Sequence, residues 1–146
     1  MSAQSEKALG YYKQRFNCSQ SVFTAYRQEA GLSESDALKL ATIFGAGVAC
    51  TGADLCGAVT GALMAISMKY GRGDVKALDA KTKTYELGRK LMEEFSNKNG
   101  SCICGELLGV DISTPEGIKE ANETKLFETR CLDMVGSACE ILEKLL

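Results

Sequence analysis

The sequence predicts an all-α protein, a single compact bundle of about six or seven helices including short ones. The 146 residues include one proline, and apolar residues recur at spacings of three and four almost throughout. These spacings are the period of a helix rather than of a strand. A chain of this length with 45% hydrophobic residues has material for one core but not for two. We therefore expect one helical domain over residues 1–146.

The first two helices are predicted on either side of Asn17. The first runs over residues 5–16, with these residues facing the core: Leu9, Tyr12 and Phe16. Asn17 is predicted to be the N-cap of the second helix, and Gln20 is placed to close a capping box. The second helix ends at Gly31, so Cys18 lies in its first turn on the core-facing stripe.

A glycine-rich segment separates the third helix from a central one. The third helix is capped by Ser33 or Ser35 and extends through about residue 44. Residues 45–54 contain too many glycines for a helix. A buried central helix is predicted from about 55 to 70, with Cys56 in its first turn.

The second half of the chain is predicted to contain two longer helices and two short ones. An amphipathic helix spans about 79–97, and a helix of one or two turns begins near Cys104. Pro115 opens another short helix, because its fixed backbone angle suits the first helical position. The last helix runs from about 124 to 145, with Cys131 on its inward stripe.

Composition excludes several classes of function. The 17 Lys and Arg nearly balance the 19 Asp and Glu, giving a net charge of −2. No basic stripe is present, so we expect no nucleic-acid partner. The sequence contains no histidine, which excludes Ser-His-Asp and Cys-His nucleophiles, histidine-ligated zinc and histidine-ligated haem. Any chemistry must come from other side chains or a bound cofactor.

We expect the protein in the cytoplasm and not inserted in a membrane. The first ten residues carry Glu6 and Lys7 where a secretion signal needs an apolar core. The apolar stretch 41–68 is divided by glycines and Asp54, so no continuous segment reaches the ~20 residues of a membrane span.

The seven cysteines are the candidates for chemistry. In a reducing compartment, such a number indicates metal binding or redox chemistry more often than structural disulfides. Cys18, Cys56 and Cys104 are predicted at helix starts, where the helix dipole and free N–H groups lower a thiol pKa. Cys131 is predicted in mid-helix, pointing at the same interior. Three cysteines are interpreted as small hydrophobes, the last of them rotated off the inward stripe: Cys50, Cys102 and Cys139.

Four motifs resemble the C-GCAxxG-C-C family of redox-active proteins across most of the chain. They are N17-C18-S19-Q20, C56-G57-A58-V59-T60-G61, C104-G105-E106-L107-L108-G109 and C131. The resemblance implies a small all-helical protein, often encoded near transporter genes, in which Cys18, Cys56, Cys104 and Cys131 are the motif cysteines. Related segments joined to multihaem cytochromes imply an iron–sulfur cluster. The sequence departs from the motif at Leu55, where the family has Gly, and by the insertion of Gly57.

Two redox hypotheses follow, for either an oxidoreductase or an electron carrier. In the first, the four cysteines Cys18, Cys56, Cys104 and Cys131 ligate an iron–sulfur cluster for electron transfer. In the second, they form a dithiol/disulfide site and need no cofactor. A thiolate such as Cys56 then attacks, and one of the other three resolves the adduct. The expected partner is a redox protein, a small thiol or an oxidant.

Two non-redox alternatives remain open. The same four cysteines, Cys18, Cys56, Cys104 and Cys131, are the ligands of a structural zinc site in one of them. In the other, the chain is a non-enzymatic helical interaction module associated with a transporter. Its feature is a ridge of small residues, Gly57, Gly61 and Ala65, which lets a partner helix or a second copy in a homodimer approach closely.

Overall fold

The computed structural model describes residues 2–146 and is helical, as predicted. The helices it contains are α1 (Ala3–Lys13), α2 (Cys18–Ala25), α3 (Glu34–Ala41), α4 (Gly57–Tyr70), α5 (Leu78–Asn99), α6 (Cys104–Leu108), α7 (Pro115–Glu123) and α8 (Arg130–Leu145). Two short 3₁₀ segments, Arg27–Ala30 and Thr42–Phe44, follow α2 and α3. The prediction of an all-α protein is confirmed. Among the helices of residues 2–146, none combines the length and apolar character needed to cross a membrane.

Several helices start just after a residue whose side chain caps the helix N-terminus. Asn17 and Gln20 form the predicted capping box: Gln20 N–H donates to Asn17 Oδ1 at 2.8 Å, and Asn17 N–H donates to Gln20 Oε1 at 3.0 Å. Of the two candidate serines, Ser33 caps α3. Thr114 caps α7, and Pro115 occupies its first position. Each cap satisfies a backbone N–H that has no partner within the helix.

The second helix ends at Ala25 rather than at Gly31, and the separate 3₁₀ segment Arg27–Ala30 fills the interval. The predicted end of the first helix and the predicted start of the last helix are also wrong, and a left-handed residue explains each of these two. The first helix ends at Lys13 rather than residue 16, because Arg15 adopts a φ of 77°. The last helix begins at Arg130, six residues after the predicted start, because Lys125 adopts a φ of 56°. Neither φ is compatible with a right-handed helix.

The ridge of small residues on α4 packs against α2 of the same chain. A Cβ added to Gly61 would lie 2.7 Å from the Ser19 carbonyl oxygen, and one added to Gly57 would lie 2.9 Å from Cys18 Cβ. Such distances leave no room for a larger side chain. The small-residue ridge, which favoured an interaction module, therefore forms a helix contact within this chain.

The core lies between α2, α4, α5 and α8. Its largest fully buried side chains include Phe23, Phe95, Ile66, Leu91 and Leu142. Cys139 is also completely buried, which contradicts its predicted position off the inward stripe. The prediction failed because α8 contacts α1, α2, α4 and α5, so it buries a wider face than a single stripe.

Candidate functional site

Four cysteines line one cavity of about 670 Å³, and each lies at the start of a helix. Cys18 is the first residue of α2, Cys104 is the first residue of α6, and Cys56 immediately precedes α4. Cys131 is the second residue of α8. Its predicted position in mid-helix is wrong, because α8 starts at Arg130. The structure thus brings together the four motif cysteines from positions 18 to 131.

A short backbone pairing holds Cys56 beside the segment of Cys104. Leu55 and Ile103 form an isolated antiparallel bridge. Cys56 N–H donates to the Cys102 carbonyl oxygen at 2.7 Å, and Cys104 N–H donates to the Asp54 carbonyl oxygen at 3.0 Å. Hydrophobic periodicity in the sequence gives no sign of this pairing, because it joins two loop segments whose paired residues are 48 positions apart. The pairing fixes two of the four thiols relative to each other.

The other two thiols are placed by helix packing and by a turn. Cys18 lies where α2 meets Gly57, so the absence of a side chain at Gly57 lets the two helix starts approach. Cys131 N–H donates to the Leu126 carbonyl oxygen at 3.1 Å, which ties the start of α8 to the turn before it. Gly57 and the turn before α8 thus place these two thiols at the cavity.

All six pairs among the four thiols interact electrostatically. Cys18 is affected by Cys131, Cys56 and Cys104, while the remaining three pairs act on Cys56 and Cys104. Like charges raise one another's pKa, because each deprotonated sulfur disfavours the next deprotonation. Deprotonation of any one of these thiols therefore disfavours deprotonation of the others.

Burial keeps three of the thiols protonated. Burial raises the pKa of Cys56 to about 11 and that of Cys104 to about 12, with neighbouring thiols adding to both shifts. The pKa of Cys18 is raised, first because its thiol hydrogen-bonds to Cys131 and then because it is buried. The prediction that helix starts lower these pKa values is wrong here. At Cys56, for example, backbone N–H groups act in the predicted direction but are outweighed by burial.

Cys131 is the thiol that favours the charged form. Its pKa is lowered, first by the hydrogen bond from Cys18, then by one from the Tyr12 hydroxyl and by the positive charge of Arg130, against the effect of burial. Cys131 is half-buried, whereas the other three thiols are buried. Of the four cavity cysteines, Cys131 is thus the residue that is not fully buried and the one whose thiol pKa is lowered.

Two residues next to Cys131 were not identified from the sequence as part of the site. The Tyr12 hydroxyl donates to the Phe127 carbonyl oxygen at 2.7 Å, and the same hydroxyl lowers the pKa of Cys131. The Arg130 guanidinium donates to the carbonyl oxygens of Leu107 at 3.1 Å and Asn99 at 3.2 Å. Tyr12 was correctly predicted on the inner face of the first helix, but Arg130 had no signal beyond its position before Cys131.

A left-handed turn precedes Cys56 in the chain. Five consecutive residues have positive φ: Ala46, Gly47, Val48, Ala49 and Cys50. An L-residue in this conformation costs roughly 1–2 kcal/mol, so a run with four non-glycine members stores strain. Ala46 lines the cavity, and Cys50 is exposed near Cys104, whose pKa it raises.

The two remaining cysteines are hydrogen-bonded away from the cavity. The half-buried Cys102 donates to the Met92 carbonyl oxygen at 3.2 Å. Cys139 is buried and hydrogen-bonds with Tyr26 and Ser5. Burial raises the pKa of Cys139 to about 12. Neither cysteine lines the cavity.

The four cavity thiols fit an iron–sulfur cluster by their donor chemistry, since such clusters are held by cysteine thiolates. The four thiols lie around the wall of the cavity. Within residues 2–146, no three or more His, Cys, Asp or Glu side chains are grouped to hold one metal ion, and all seven cysteines are free.

Comparison with protein families identifies a match over most of the chain. The family model described as "Putative redox-active protein (C_GCAxxG_C_C)" matches residues 16–145, a range that includes all four cavity cysteines. No curated protein and no solved structure matches the chain significantly.

Proposed function

We propose thiol–disulfide exchange as the activity of this chain, which belongs to the C_GCAxxG_C_C family of redox-active proteins. Cys131 is the attacking thiolate and Cys18 the resolving thiol. The observation that carries the proposal is that both residues line a single cavity, where their thiols interact so that the pKa of Cys18 is raised and that of Cys131 is lowered. A nucleophile must be deprotonated at ambient pH, and the second thiol must be within reach of it.

The exchange proceeds in two steps with an organic disulfide as oxidant. The Cys131 thiolate attacks one sulfur of the substrate, so the substrate S–S bond breaks, a mixed disulfide forms on Cys131 and one small thiolate leaves. Cys18 then loses its proton to the departing second thiolate and attacks the Cys131 sulfur. The substrate gains two electrons and becomes two small thiols, and the protein dithiol becomes one disulfide.

Access and acidity support this order of attack. Cys131 is the half-buried thiol, whereas Cys18 is 9% exposed and is held by its hydrogen bond to Cys131. From the sequence, Cys56 was the example given for the attacking thiolate. With a pKa of about 11, it is almost entirely protonated near neutral pH. It is therefore a poorer nucleophile than Cys131.

An iron–sulfur cluster is the second candidate, and the presence of four cysteine thiols in the lining of one cavity supports it by their donor chemistry. Cys18, Cys56, Cys104 and Cys131 would be the ligands. Such a cluster supplies one-electron transfer when bound. The two candidates differ in their need for Cys56 and Cys104, which cluster ligation requires and exchange between Cys18 and Cys131 does not.

Reaction with dithiobis(nitrobenzoate), a disulfide that releases a coloured thiolate, tests the proposal. The exposed Cys50 is first replaced by serine in all samples to remove its background reaction. We expect two equivalents of coloured thiolate, the second following the first. Cys18→Ser should stop the reaction after one equivalent, and Cys131→Ser should remove the fast phase. Retention of the fast phase in Cys131→Ser would contradict the proposal.

Purification without oxygen distinguishes thiol–disulfide exchange from an iron–sulfur cluster and from a zinc site. The visible spectrum is recorded together with iron, sulfide and zinc content, for the original sequence and for Cys56→Ser and Cys104→Ser. Matched iron and sulfide, lost in both variants, would replace exchange by cluster-based electron transfer. Stoichiometric zinc would indicate the structural metal site instead.

A further inference from the structure

The walls of the cavity are largely apolar outside its four thiols. Its volume of about 670 Å³ falls within the range of roughly 300–1,000 Å³ that is typical of small-molecule sites. The apolar lining includes Phe16, Phe127, Leu107, Leu108, Ile112 and Met134. Phe16 and Phe127 are half-buried and line this wall. Such a wall suits a flat apolar molecule.

Cations dominate the charged residues of the same cavity. Lys13, Arg15 and Arg130 line it, against one carboxylate, Glu128. None of the three cations forms an ion pair within the described part of the chain. The whole chain has a net charge of −2, so this concentration of positive charge is local.

Arg130 is held in position before any ligand arrives. Its guanidinium donates to two backbone carbonyl oxygens, those of Leu107 and Asn99, which fix its orientation without neutralising its charge. Lys13 and Arg15 are exposed at the end of α1 and just beyond it. The starts of α4 and α8 add partial positive charge on the same side as the thiols.

We propose that the cavity binds a small molecule with a flat apolar body and an anionic group, the body lying against Phe16 and Phe127 and the anion facing Lys13, Arg15 and Arg130. The inference rests on the proposed function in one respect, since it names the substrate class of the exchange reaction: an apolar disulfide that carries a carboxylate or a similar anion.

Fluorescence titration with anilinonaphthalene sulfonate tests this inference. The probe has an aromatic body and one anionic group, and N-phenylnaphthylamine is the matched probe without the charge. Both titrations use the Cys131→Ser variant, so that binding is measured without thiol chemistry. We expect one site per chain, with the anionic probe bound more tightly than the neutral one.

Charge removal then separates the two parts of the site. The double variant Lys13→Gln/Arg15→Gln should weaken the anionic probe about tenfold and leave the neutral probe unchanged, because about 1.4 kcal/mol is tenfold in affinity. Phe127→Ala should weaken both probes. Lys90→Gln, an exposed lysine on α5, is the control and should alter neither.

Three results would overturn the inference: no saturable binding of the anionic probe, equal affinity for the two probes, or the same loss in Lys90→Gln as in the double variant. Failure of exchange with intact probe binding would instead remove the proposed function and leave the ligand site. Exchange without probe binding would instead remove the proposed ligand site and leave the proposed function.

Discussion

Replacing Cys18 with alanine should suppress the reactivity of Cys131. The substitution removes the hydrogen bond that is the largest cause of the lowered Cys131 pKa. A hydrogen bond to a charged group contributes about 1.5–3 kcal/mol, and 1.36 kcal/mol corresponds to a factor of ten in a protonation equilibrium. Because Cys131 is half-buried, we take the lower end of this range. The thiolate population of Cys131 should therefore fall about tenfold at pH values below its pKa.

Alkylation by iodoacetamide as a function of pH measures this population. The modified peptides are separated by mass spectrometry, so the rate at Cys131 is obtained independently of the other thiols. The rates of Cys18→Ala and of the original sequence should differ most at low pH. They should converge at high pH, where Cys131 is fully deprotonated in both. The exposed Cys50 provides an internal reference whose rate should not change.

Cys18→Ser is the matched control, because its hydroxyl can still donate a hydrogen bond to Cys131. It should retain most of the reactivity that Cys18→Ala loses. Overlapping pH profiles of Cys18→Ala and the original sequence would refute the assignment of Cys18 as the hydrogen-bond donor. Equal losses in both variants would show that packing around residue 18, rather than the hydrogen bond, controls Cys131.

Three further predictions concern stability and are checked by urea denaturation. Ala49→Gly should raise the free energy of unfolding by up to about 1 kcal/mol, because glycine adopts the observed φ of 53° without strain. An unchanged midpoint would contradict this strain. Gly61→Ala should lower it by about 1–3 kcal/mol, since the new Cβ would lie 2.7 Å from the Ser19 carbonyl oxygen. Thr24→Val should raise it by about 1 kcal/mol, because the buried Thr24 hydroxyl has no hydrogen-bond partner. A destabilised valine variant would show that this hydroxyl is satisfied.

Local signals predicted the starts of α2, α3 and α7, which carry a side-chain cap, whereas the break before α8 leaves no such signal in the sequence. The capping box of Asn17 and Gln20 depends on residues three apart, so it can be recognised without the fold. The segment from Thr124 to Thr129 contains no proline or glycine, and its composition is compatible with a helix. Its break depends on the left-handed Lys125, and most lysines do not adopt this conformation. The late start of α8 therefore could not be predicted.

The four cavity cysteines were identified from the sequence, but their division of roles was not. A pKa depends on burial and on groups from distant elements, and neither is visible in a spacing pattern. At Cys56, burial outweighs the backbone N–H groups that the helix start supplies. At Cys131, the side chains that lower the pKa include Cys18 first and then Tyr12, both more than a hundred positions earlier in the chain. The acidic thiol could be assigned only once these residues were placed together.

Peptide mapping of the oxidised protein tests the central claim most directly. The reduced chain is treated anaerobically with one equivalent of an organic disulfide, the remaining thiols are blocked, and peptides are analysed without reduction. We predict a disulfide between Cys18 and Cys131, with Cys56 and Cys104 recovered as blocked thiols. A disulfide between Cys56 and Cys104, or a stable adduct on Cys131 with Cys18 still free, would contradict the account.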